Sequence, residues 1–403
     1  MDSRQTFPEN PFSVIRTVLA SGERLPFLVE STSWIPTRIA TRWAVRYRRY
    51  RVQASTLAGN LRIIGLLYNW ATTVAQLNLD DFLTQGNRLD ARQIESFAFY
   101  LRNRGIPVVR SISPEAHLII PSDFDHQLSI VEDFLKWSLD QRNRGGSGIL
   151  TIEELSRHRT YLTELFNSLR VGTHASQPQQ PLSEEDLKII RQAIGPVKEG
   201  NGSLTFPRPM FSKGVRLRNW VMFETSLELG LRRGELLKMR LDSLPRGSSD
   251  IIRVIRRPDD PADSRLVEPA VKTAERLIPA TPYLLSILRA YLTIPPPLGR
   301  VTGKSPYLFV TREGNPVSIP TADDIAKKIR AITGVDITWH RLRHTWAEKQ
   351  ADRLAKDPNG MDQLQYLGGW TNETSPKRYI KQALAKLGIQ SFREHQNNLY
   401  SEE

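Results

Sequence analysis

The sequence His340-Arg-Leu-Arg-His-Thr-Trp-Ala347 brings three basic side chains together at helical spacing. On a helix, His340, Arg343 and His344 share one face, at positions i, i+3 and i+4. Two histidines at this spacing can bind zinc, but Arg343 would repel a cation, and Glu348 lies too far along a straight helix to complete the ligand set. An arginine with two histidines instead suits a phosphate, because the guanidinium binds oxygens and an imidazole can move a proton. A buried structural role for His344 is equally consistent with the pattern.

An upstream motif, Gly230-Leu-Arg-Arg-Gly-Glu-Leu-Leu237, predicts the junction of two helices. Gly230 is a typical helix end, and the next helix begins within the same turn. Arg232 would then lie at a helix N-terminus, where backbone amides already favour an anion. Glu235 follows three residues later and can hold Arg232 in place. Taken alone, an arginine at such a position is usually a surface residue or a salt-bridge partner.

Two further motifs lie on either side of the histidine-containing helix. In Val271-Lys-Thr-Ala-Glu-Arg-Leu-Ile-Pro279, Lys272 is expected in or beside a β-turn at the surface. In Leu367-Gly-Gly-Trp-Thr-Asn-Glu-Thr-Ser-Pro-Lys-Arg-Tyr379, a predicted helix is followed by a tyrosine near the start of the next helix. A lone lysine on a hairpin is usually a solvated charge, and a lone tyrosine is usually a core or surface aromatic residue. Only the combination of all four motifs gives Lys272 and Tyr379 a chemical interpretation.

The overall composition restricts the class of protein. The chain has 403 residues, with 56 Lys and Arg against 43 Asp and Glu, and a formal net charge of +13. This excess favours nucleic acid as a partner; the alternative is a basic protein with a solvated surface. The absence of cysteine excludes disulfides, thiolate metal sites and cysteine nucleophiles. Because no secretion signal and no apolar run of roughly 18 residues is evident, we expect a protein of the bacterial cytoplasm or nucleoid without membrane partners.

Basic charge is concentrated near the N-terminus, where residues 31–79 contain no acidic side chain. Four arginines at helical spacing are predicted to form one face that contacts DNA phosphates: Arg38, Arg42, Arg46 and Arg49. Three aromatic residues are predicted to pack inward on a second face: Trp43, Tyr47 and Tyr50. The alternative is an ordinary solvated helix with a core stripe.

Periodicity predicts two domains. Apolar stripes at helical spacing recur through residues 1–172, which predicts an all-α helical bundle. Within it, residues 1–35 are open to interpretation as a flexible or arm segment, and Thr151 with Glu154 predicts a capping box. Residues 173–182 are polar, aperiodic and contain proline, as expected of a linker.

The second predicted domain, residues 183–403, mixes element types. A β-branched run at 251–255 and a similar run ending at Pro279 predict a small antiparallel sheet inserted among helices. After Thr321 the chain is predicted to be mostly helical. The second domain is therefore expected to be mainly α with a small antiparallel sheet.

In their order along the chain, the four motifs resemble those of the tyrosine recombinase (phage integrase) family. The resemblance lies in an arginine within G-L-R-x-x-E, a lysine within K-T-x-x-R-x-I-P, the motif H-x-L-R-H and a downstream tyrosine. Each motif alone is weak, but the ordered set is specific and spans the whole second domain. The resemblance implies the family's catalytic fold for residues 183–403, and the basic first domain is similar in kind to the family's core-binding domain.

Carried over residue by residue, the resemblance implies a catalytic role for each motif. Arg232 and Arg343 clamp the non-bridging oxygens of a scissile phosphate, and Lys272 protonates the departing 5′ oxygen. His340 assists proton transfer to or from the nucleophile. Tyr379 attacks phosphorus and forms a 3′-phosphotyrosyl bond. Glu235 and His344 are expected to support these groups.

One position departs from the commonest family pattern. Nine residues before Tyr379, most members carry a second histidine, whereas this chain has Trp370, as a minority of the family does. An indole N–H can donate to a phosphate oxygen but cannot shuttle a proton. The same count favours Tyr379 over Tyr366 and Tyr400 as the nucleophile.

The resemblance implies a site-specific recombinase, acting in integration, excision, transposition or resolution of a mobile genetic element. Because a covalent phosphotyrosine stores the bond energy, we expect no need of ATP. Since no Asp/Glu cluster suggests two-metal chemistry and no G-x-x-x-x-G-K-[ST] motif is present, we also expect no metal and no cofactor. One alternative is a type IB topoisomerase-like enzyme, which uses the same residues to relax DNA. The other is a non-catalytic DNA-binding regulator, which would have no need of the complete residue set.

The expected partners are double-stranded DNA and further copies of the chain, as a tetramer on two DNA sites. A short apolar set follows the tyrosine and precedes a polar tail: Ala383, Leu384, Leu387 and Ile389. In the family such a C-terminal helix often docks on a neighbouring protomer. Packing on its own domain is the alternative for this sequence.

Overall fold

The computed structural model describes residues 10–103, 119–144, 151–172, 180–198, 200, 204–206, 211–303 and 305–399. Contacts within the chain divide it into two units, Met1–Ser176 and Gln177–Glu403. This division falls among residues 173–182, of which 173–179 lie outside the described residues. None of the helices in the described ranges has both the length and the apolar composition of a membrane span.

The first unit opens with a β-hairpin. Strand β1 (Phe12–Val18) pairs antiparallel with strand β2 (Arg24–Glu30). The turn between them contains Gly22, whose φ of 88° is a conformation that favours glycine. Leu28 of β2 is fully buried in the core of the unit. The prediction of an all-α first domain is therefore wrong here, because apolar side chains of residues 12–30 form a hairpin that packs against the helices.

Six helices and one π-helical segment complete the described part of the first unit. They are α1 (Arg38–Trp43), the π-helical segment Ala44–Arg48, α2 (Ala54–Thr73), α3 (Leu79–Thr84), α4 (Ala91–Arg102), α5 (Pro121–Arg144) and α6 (Ile152–Leu169). One core joins these elements, and its fully buried aromatic residues include Trp43, Trp70 and Phe134. The predicted capping box is confirmed, because Thr151 and Glu154 each accept the backbone N–H of the other.

The π-helical segment changes which aromatic side chains face the core. Its i→i+5 hydrogen bonds place more residues in each turn, so later side chains rotate relative to an α-helix. Trp43, which precedes the segment, is fully buried, and Tyr47 is partly buried and donates to Asp133 at 2.9 Å. Tyr50, which follows the segment, is 77% exposed. The predicted inward aromatic face is correct for Trp43 and wrong for Tyr50.

The described part of the second unit contains eight α-helices and two short hairpins. Its elements are α7 (Glu184–Ile194), β3 (Val197–Lys198), β4 (Leu204–Thr205), α8 (Arg216–Leu229), α9 (Arg233–Lys238), β5 (Ile251–Val254), β6 (Arg276–Pro279), α10 (Pro282–Thr293), α11 (Ile319–Thr333), α12 (Trp339–Leu354), α13 (Gly360–Gly368) and α14 (Thr374–Leu399). Strands β5 and β6 pair antiparallel, with Ile252 opposite Ile278. The predicted mainly α domain with a small antiparallel sheet is confirmed.

A buried ionic cluster holds the loop between β5 and β6 against α9. Lys238, the last residue of α9, has a side chain that is 1% exposed. It pairs with Asp263 at 3.4 Å and also contacts Glu268, both of which belong to the loop. Tyr307 donates to Asp260, a third carboxylate of that loop, at 2.6 Å. These contacts hold the loop that carries Lys272 next to α9, the helix that begins directly after Arg232.

Gly230 ends α8 as predicted. It adopts the left-handed conformation with φ of 60° and lies against the ring of Trp346 in α12. A Cβ added at Gly230 would come within 2.1 Å of that ring. Glycine is therefore required here by both backbone conformation and packing, and its close approach brings the α8–α9 turn onto α12.

Candidate active site

Arg343 of α12 connects two of the sequence motifs. Its guanidinium donates from Nη1 to the carbonyl of Gly230 at 2.8 Å and from Nη2 to the carbonyl of Gly368 at 2.7 Å. The residue is 3% exposed. Burial, followed by the charge of Arg232, lowers the pKa of Arg343 to about 9. Both causes disfavour the charged form of the guanidinium, and an anion bound beside it would offset them.

Glu235 is the carboxylate around which the arginines are organised. It accepts the backbone N–H of Arg232 at 2.6 Å and a hydrogen bond from Nη1 of Arg276 at 2.6 Å. Nη1 of Arg343 lies 3.6 Å away, and the Thr273 hydroxyl also donates to it. Burial is the largest single effect and acts to raise the pKa of Glu235, but the opposing effects of Arg276, Arg343 and Thr273 together make the net shift downward. Glu235 therefore holds Arg232 through its backbone, which leaves the guanidinium for another partner.

Arg232 lies at the N-terminus of α9, as the sequence predicts. Its side chain is half-buried, and burial lowers its pKa. Nη1 of Arg232 is buried and has no hydrogen-bond partner among the described residues. A buried, unpaired donor on a cation is costly, and a phosphate oxygen would satisfy it.

A basic cleft brings three predicted catalytic residues together. Arg232, Lys272 and His340 all line one open cleft with an empty volume of about 1310 Å³. Lys272 is exposed in the loop before β6, in agreement with its predicted surface position. Lys327 adds further positive charge to the walls, and Asp323 is the one acidic residue among the lining residues. The cleft can therefore receive a backbone phosphate.

Tyr379, the tyrosine of the last motif, is buried in the second unit beside His344. Tyr379 is 8% exposed, and its hydroxyl lies 2.7 Å from Nδ1 of His344. Burial raises the pKa of Tyr379 to about 12, against the opposing charges of Arg343 and Arg378. Burial also lowers the pKa of His344 to about 4. At neutral pH the phenol is therefore the hydrogen-bond donor and a neutral imidazole is the acceptor.

Trp370 packs between Arg343 and Tyr379. The Arg343 guanidinium carbon lies 4.6 Å from the centroid of the Trp370 ring, a cation–π contact. The ring centroids of Trp370 and Tyr379 are 5.9 Å apart. Of the other two tyrosines, Tyr366 accepts a backbone hydrogen bond from β6, and Tyr400 lies outside the described residues. Trp370 therefore contacts both Arg343 and the tyrosine that the motif spacing favours.

Arg276 is a site residue to which the sequence analysis assigned no role. Its side chain is fully buried, and it joins Glu235 to the carbonyl of Leu367, which accepts from Nε at 2.7 Å. The backbone N–H of Ala274 also donates to the carbonyl of Gly369 at 3.1 Å. The segment that runs from Lys272 into β6 is thus joined to the turn between α13 and α14, the helix that contains Tyr379. The available signal was the arginine of K-T-x-x-R, a charged residue at an inward position of a short strand.

The four arginines of the first unit differ in their surroundings. Arg38 pairs with Asp81 at 2.5 Å, and Arg49 pairs with Glu23. Arg42 and Arg46 are exposed, and no carboxylate among the described residues forms an ion pair with either. The structure therefore leaves two of these four guanidiniums open to an external anion. Their contact with DNA stays a prediction.

Comparison with known proteins bears on the second unit. Residues 205–386 match the model of the phage integrase family. No curated protein matches the chain by sequence.

Several solved structures are similar to the chain. The Tn1549 transposon integrase in complex with transposon right end DNA is 15% identical, with a TM-score of 0.50; the match covers 88% of this chain and 99% of that one. The XerH site-specific recombinase bound to difH substrate is 14% identical, with a TM-score of 0.49, covering 84% and 78%. A lambda integrase dimer bound to a COC′ core site is 14% identical, with a TM-score of 0.47, covering 84% and 94%. At these identities the similarity is one of fold alone.

Proposed function

Because the chain belongs to the phage integrase family of tyrosine recombinases, we propose that it is a site-specific DNA recombinase that works through a 3′-phosphotyrosyl bond to Tyr379. Cleavage and rejoining would each exchange one phosphodiester for another, so the reaction needs no ATP. The fixed cations of the site would stabilise the phosphate charge in place of a metal ion. Integration, excision or transposition of a mobile element is the proposed setting. The observation that carries the proposal is the buried Nη1 of Arg232, which has no hydrogen-bond partner in the described part of the chain and lies in the same cluster as Arg343 and the Tyr379 phenol.

The proposed clamp consists of Arg232 and Arg343. Attack on a phosphodiester builds negative charge on the non-bridging oxygens, and fixed cations stabilise that charge. The charge of each arginine acts on Tyr379, which supports a common site for all three. Glu235 and Arg276 would keep the clamp in place without contacting DNA.

The 5′ oxygen, as the leaving group, would depart on the side of the cleft that Lys272 lines. Lys272 is exposed and shares the cleft with Arg232 and His340. Its ammonium group would donate a proton to the 5′ oxygen as the bond to phosphorus breaks. His340, on the wall of the cleft, would assist proton transfer to or from the nucleophile.

The C-terminal helix supports an assembly of several protomers. Beyond Ala383, the described part of α14 is exposed apart from the partly buried Leu387. Three large apolar side chains there are between 56% and 61% exposed: Ile389, Phe392 and Leu399. Packing of this segment on its own unit would bury such residues, so docking on a second protomer is favoured. This observation favours a recombinase over a topoisomerase, which acts alone.

The proposal can be tested with the DNA that flanks the gene. Duplexes from both flanks, each with a nick that lets the cleaved end diffuse away, would trap a covalent complex that survives denaturant. A recombinase should also assemble four protomers with two duplexes in light scattering. Trapping by a single protomer on one duplex would favour the topoisomerase alternative. DNA binding without any trapped complex would favour the non-catalytic regulator.

A further inference from the structure

Lys272 lies near the end of the long loop between β5 and β6, which spans residues 255–275. A surface lysine on such a loop is mobile unless the backbone on both sides of it is held in place. Its neighbours Val271 and Thr273 are 6% and 2% exposed, whereas Lys272 is exposed and lines the cleft. The loop therefore buries the residues on either side of the lysine and presents Lys272 to the cleft.

The contact that precedes Lys272 is made with a glycine of α9. The carbonyl group of Ala270 lies directly against Gly234, and a Cβ added at Gly234 would come within 2.0 Å of that carbonyl oxygen. Both residues line the cleft together with Arg232 and Lys272. Gly234 lies inside α9, where glycine is less favourable than alanine by about 1 kcal/mol. The missing side chain therefore serves the close approach of the loop rather than the conformation of the helix.

Buried charges attach the same loop to the other end of α9. The Glu268 carboxylate contacts Nζ of Lys238, the last residue of α9, and accepts the backbone N–H of Asp260 at 3.1 Å. The buried guanidinium of Arg265 donates to the carbonyl of Leu237 at 3.1 Å. The loop therefore contacts both ends of α9, and its last buried charge, Glu268, precedes the Gly234 contact by only a few residues.

The backbone that follows Lys272 is held as well. The Thr273 hydroxyl donates to Glu235, the residue after Gly234, and the backbone N–H of Ala274 donates to the carbonyl of Gly369 at 3.1 Å. These bonds and the Gly234 contact lie on opposite sides of Lys272 in the sequence. The folded chain therefore fixes the Lys272 backbone beside the start of α9.

Resting on the recombinase function above, we propose that Gly234 is a positioning residue for Lys272, the proton donor to the departing 5′ oxygen. By receiving the Ala270 carbonyl, Gly234 sets the distance between the lysine segment and Arg232. Lys272 then meets the phosphate that Arg232 binds without a prior rearrangement of the loop. A displacement of about 1 Å in a catalytic group can cost about 10²-fold in rate, so this distance matters.

The test is Gly234→Ala in the full chain. Alanine favours a helix more than glycine does, so α9 itself is not weakened, but the added methyl group must displace Ala270 and the lysine segment with it. The matched control is Gly299→Ala. A Cβ at Gly299 would come within 1.7 Å of the carbonyl oxygen of Ile294, so the control forces a similar displacement elsewhere in the second unit.

The readout is the rate of covalent complex formation on two nicked flanking duplexes. One has the normal 5′ oxygen at the scissile phosphate, and the other has sulfur in its place. The oxygen needs a proton as its bond to phosphorus breaks, whereas sulfur can leave as a thiolate, because thiols lose their proton near a pH of about 8.5. A defect in proton donation is therefore relieved by the sulfur duplex, and a defect in the arginine clamp or the nucleophile is not. Lys272→Ala is the reference variant.

We expect Gly234→Ala to cleave the oxygen duplex about 10²-fold more slowly than the wild type and the sulfur duplex at a rate within about threefold of it. Gly299→Ala should cleave both duplexes at nearly the wild-type rate. In a chain that already carries Lys272→Ala, Gly234→Ala should cause no further loss, because the two changes remove the same contribution. Equal losses on both duplexes, or no loss on the oxygen duplex, would overturn the inference.

The inference and the proposed function fail in different ways. A wild-type chain that traps no covalent complex would overturn the recombinase function, and a Lys272→Ala defect that sulfur does not relieve would overturn the role of Lys272 as proton donor. Hydrogen exchange without DNA tests the contact separately. The backbone amides of residues 270–274 should exchange faster in Gly234→Ala than in the wild type, and equal exchange would overturn the positioning role.

A second variant covers the case in which Gly234→Ala does not fold. Glu268→Gln removes the charge that pairs with Lys238 and loosens the loop before Ala270. It should slow cleavage of the oxygen duplex, and the sulfur duplex should restore the rate. A loss that is the same on both duplexes would count against the inference in this variant too.

Discussion

Replacing Glu235 with glutamine removes one buried negative charge and leaves the cations around it uncompensated. The carboxylate and the side chain of Arg276 are both fully buried, and they are 2.6 Å apart. The amide retains the volume and one acceptor, but its NH₂ group would face donors on Arg276 or Thr273. Loss of one partner from a buried ion pair costs about 3–5 kcal/mol. With about 2–4 °C per kcal/mol for a unit of this size, we expect the melting temperature of the second unit to fall by about 6–20 °C.

Scanning calorimetry of the full chain at pH 7 measures this change. The matched control is Glu184→Gln, because Glu184 is 75% exposed and its pair with Lys349 should contribute less than about 1 kcal/mol. The pKa of Glu235 is lowered in the folded state, so its stabilisation is present at neutral pH and is lost as the pH falls through that pKa. The difference between wild type and Glu235→Gln should therefore narrow in acid. A loss no larger than that of the control, or a difference that grows in acid, would refute the reasoning.

Three further predictions concern cleavage, DNA binding and assembly. Arg343→Ala should slow covalent complex formation by about 10²–10³-fold with DNA binding retained, and a loss below about tenfold would argue against the clamp. Arg42→Ala combined with Arg46→Ala should lower the salt slope of DNA binding by about 2, whereas Arg38→Ala should lower it less because Arg38 pairs with Asp81. Phe392→Asp should reduce the four-protomer assembly in light scattering and leave single-site cleavage nearly unchanged. An unaltered assembly would mean that Phe392 makes no contact between protomers.

Local signals in the sequence predicted the parts of the fold that local chemistry determines. Gly230 ends α8 because only glycine adopts its backbone conformation easily, and the Thr151 capping box forms within four residues. The β5–β6 hairpin follows from two β-branched runs around a turn-rich segment. The order of the four motifs likewise predicted that their side chains all belong to the second unit.

The features that the sequence did not reveal depend on residues far apart in the chain. Strand β2 is buried because α2 packs against it, and no signal within residues 1–35 shows that packing. Arg38 and Arg49 pair with carboxylates that helical spacing cannot locate. The π-helical turn places Tyr50 outside the core. Arg276 can be buried only because Glu235, which is distant in the sequence, pairs with it. The contact between His344 and the phenol required the fold of α14 against α12.

The central claim is that a phenol oxygen of this chain displaces a 5′ alcohol at phosphorus. The most direct measurement is mass spectrometry of the denaturant-resistant complex after protease and nuclease digestion. We expect a peptide in which a nucleotide 3′-phosphate is bonded to Tyr379, and no such peptide from Tyr379→Phe. A nucleotide bonded to Tyr366, or an equal yield from the Tyr379→Phe chain, would contradict the account.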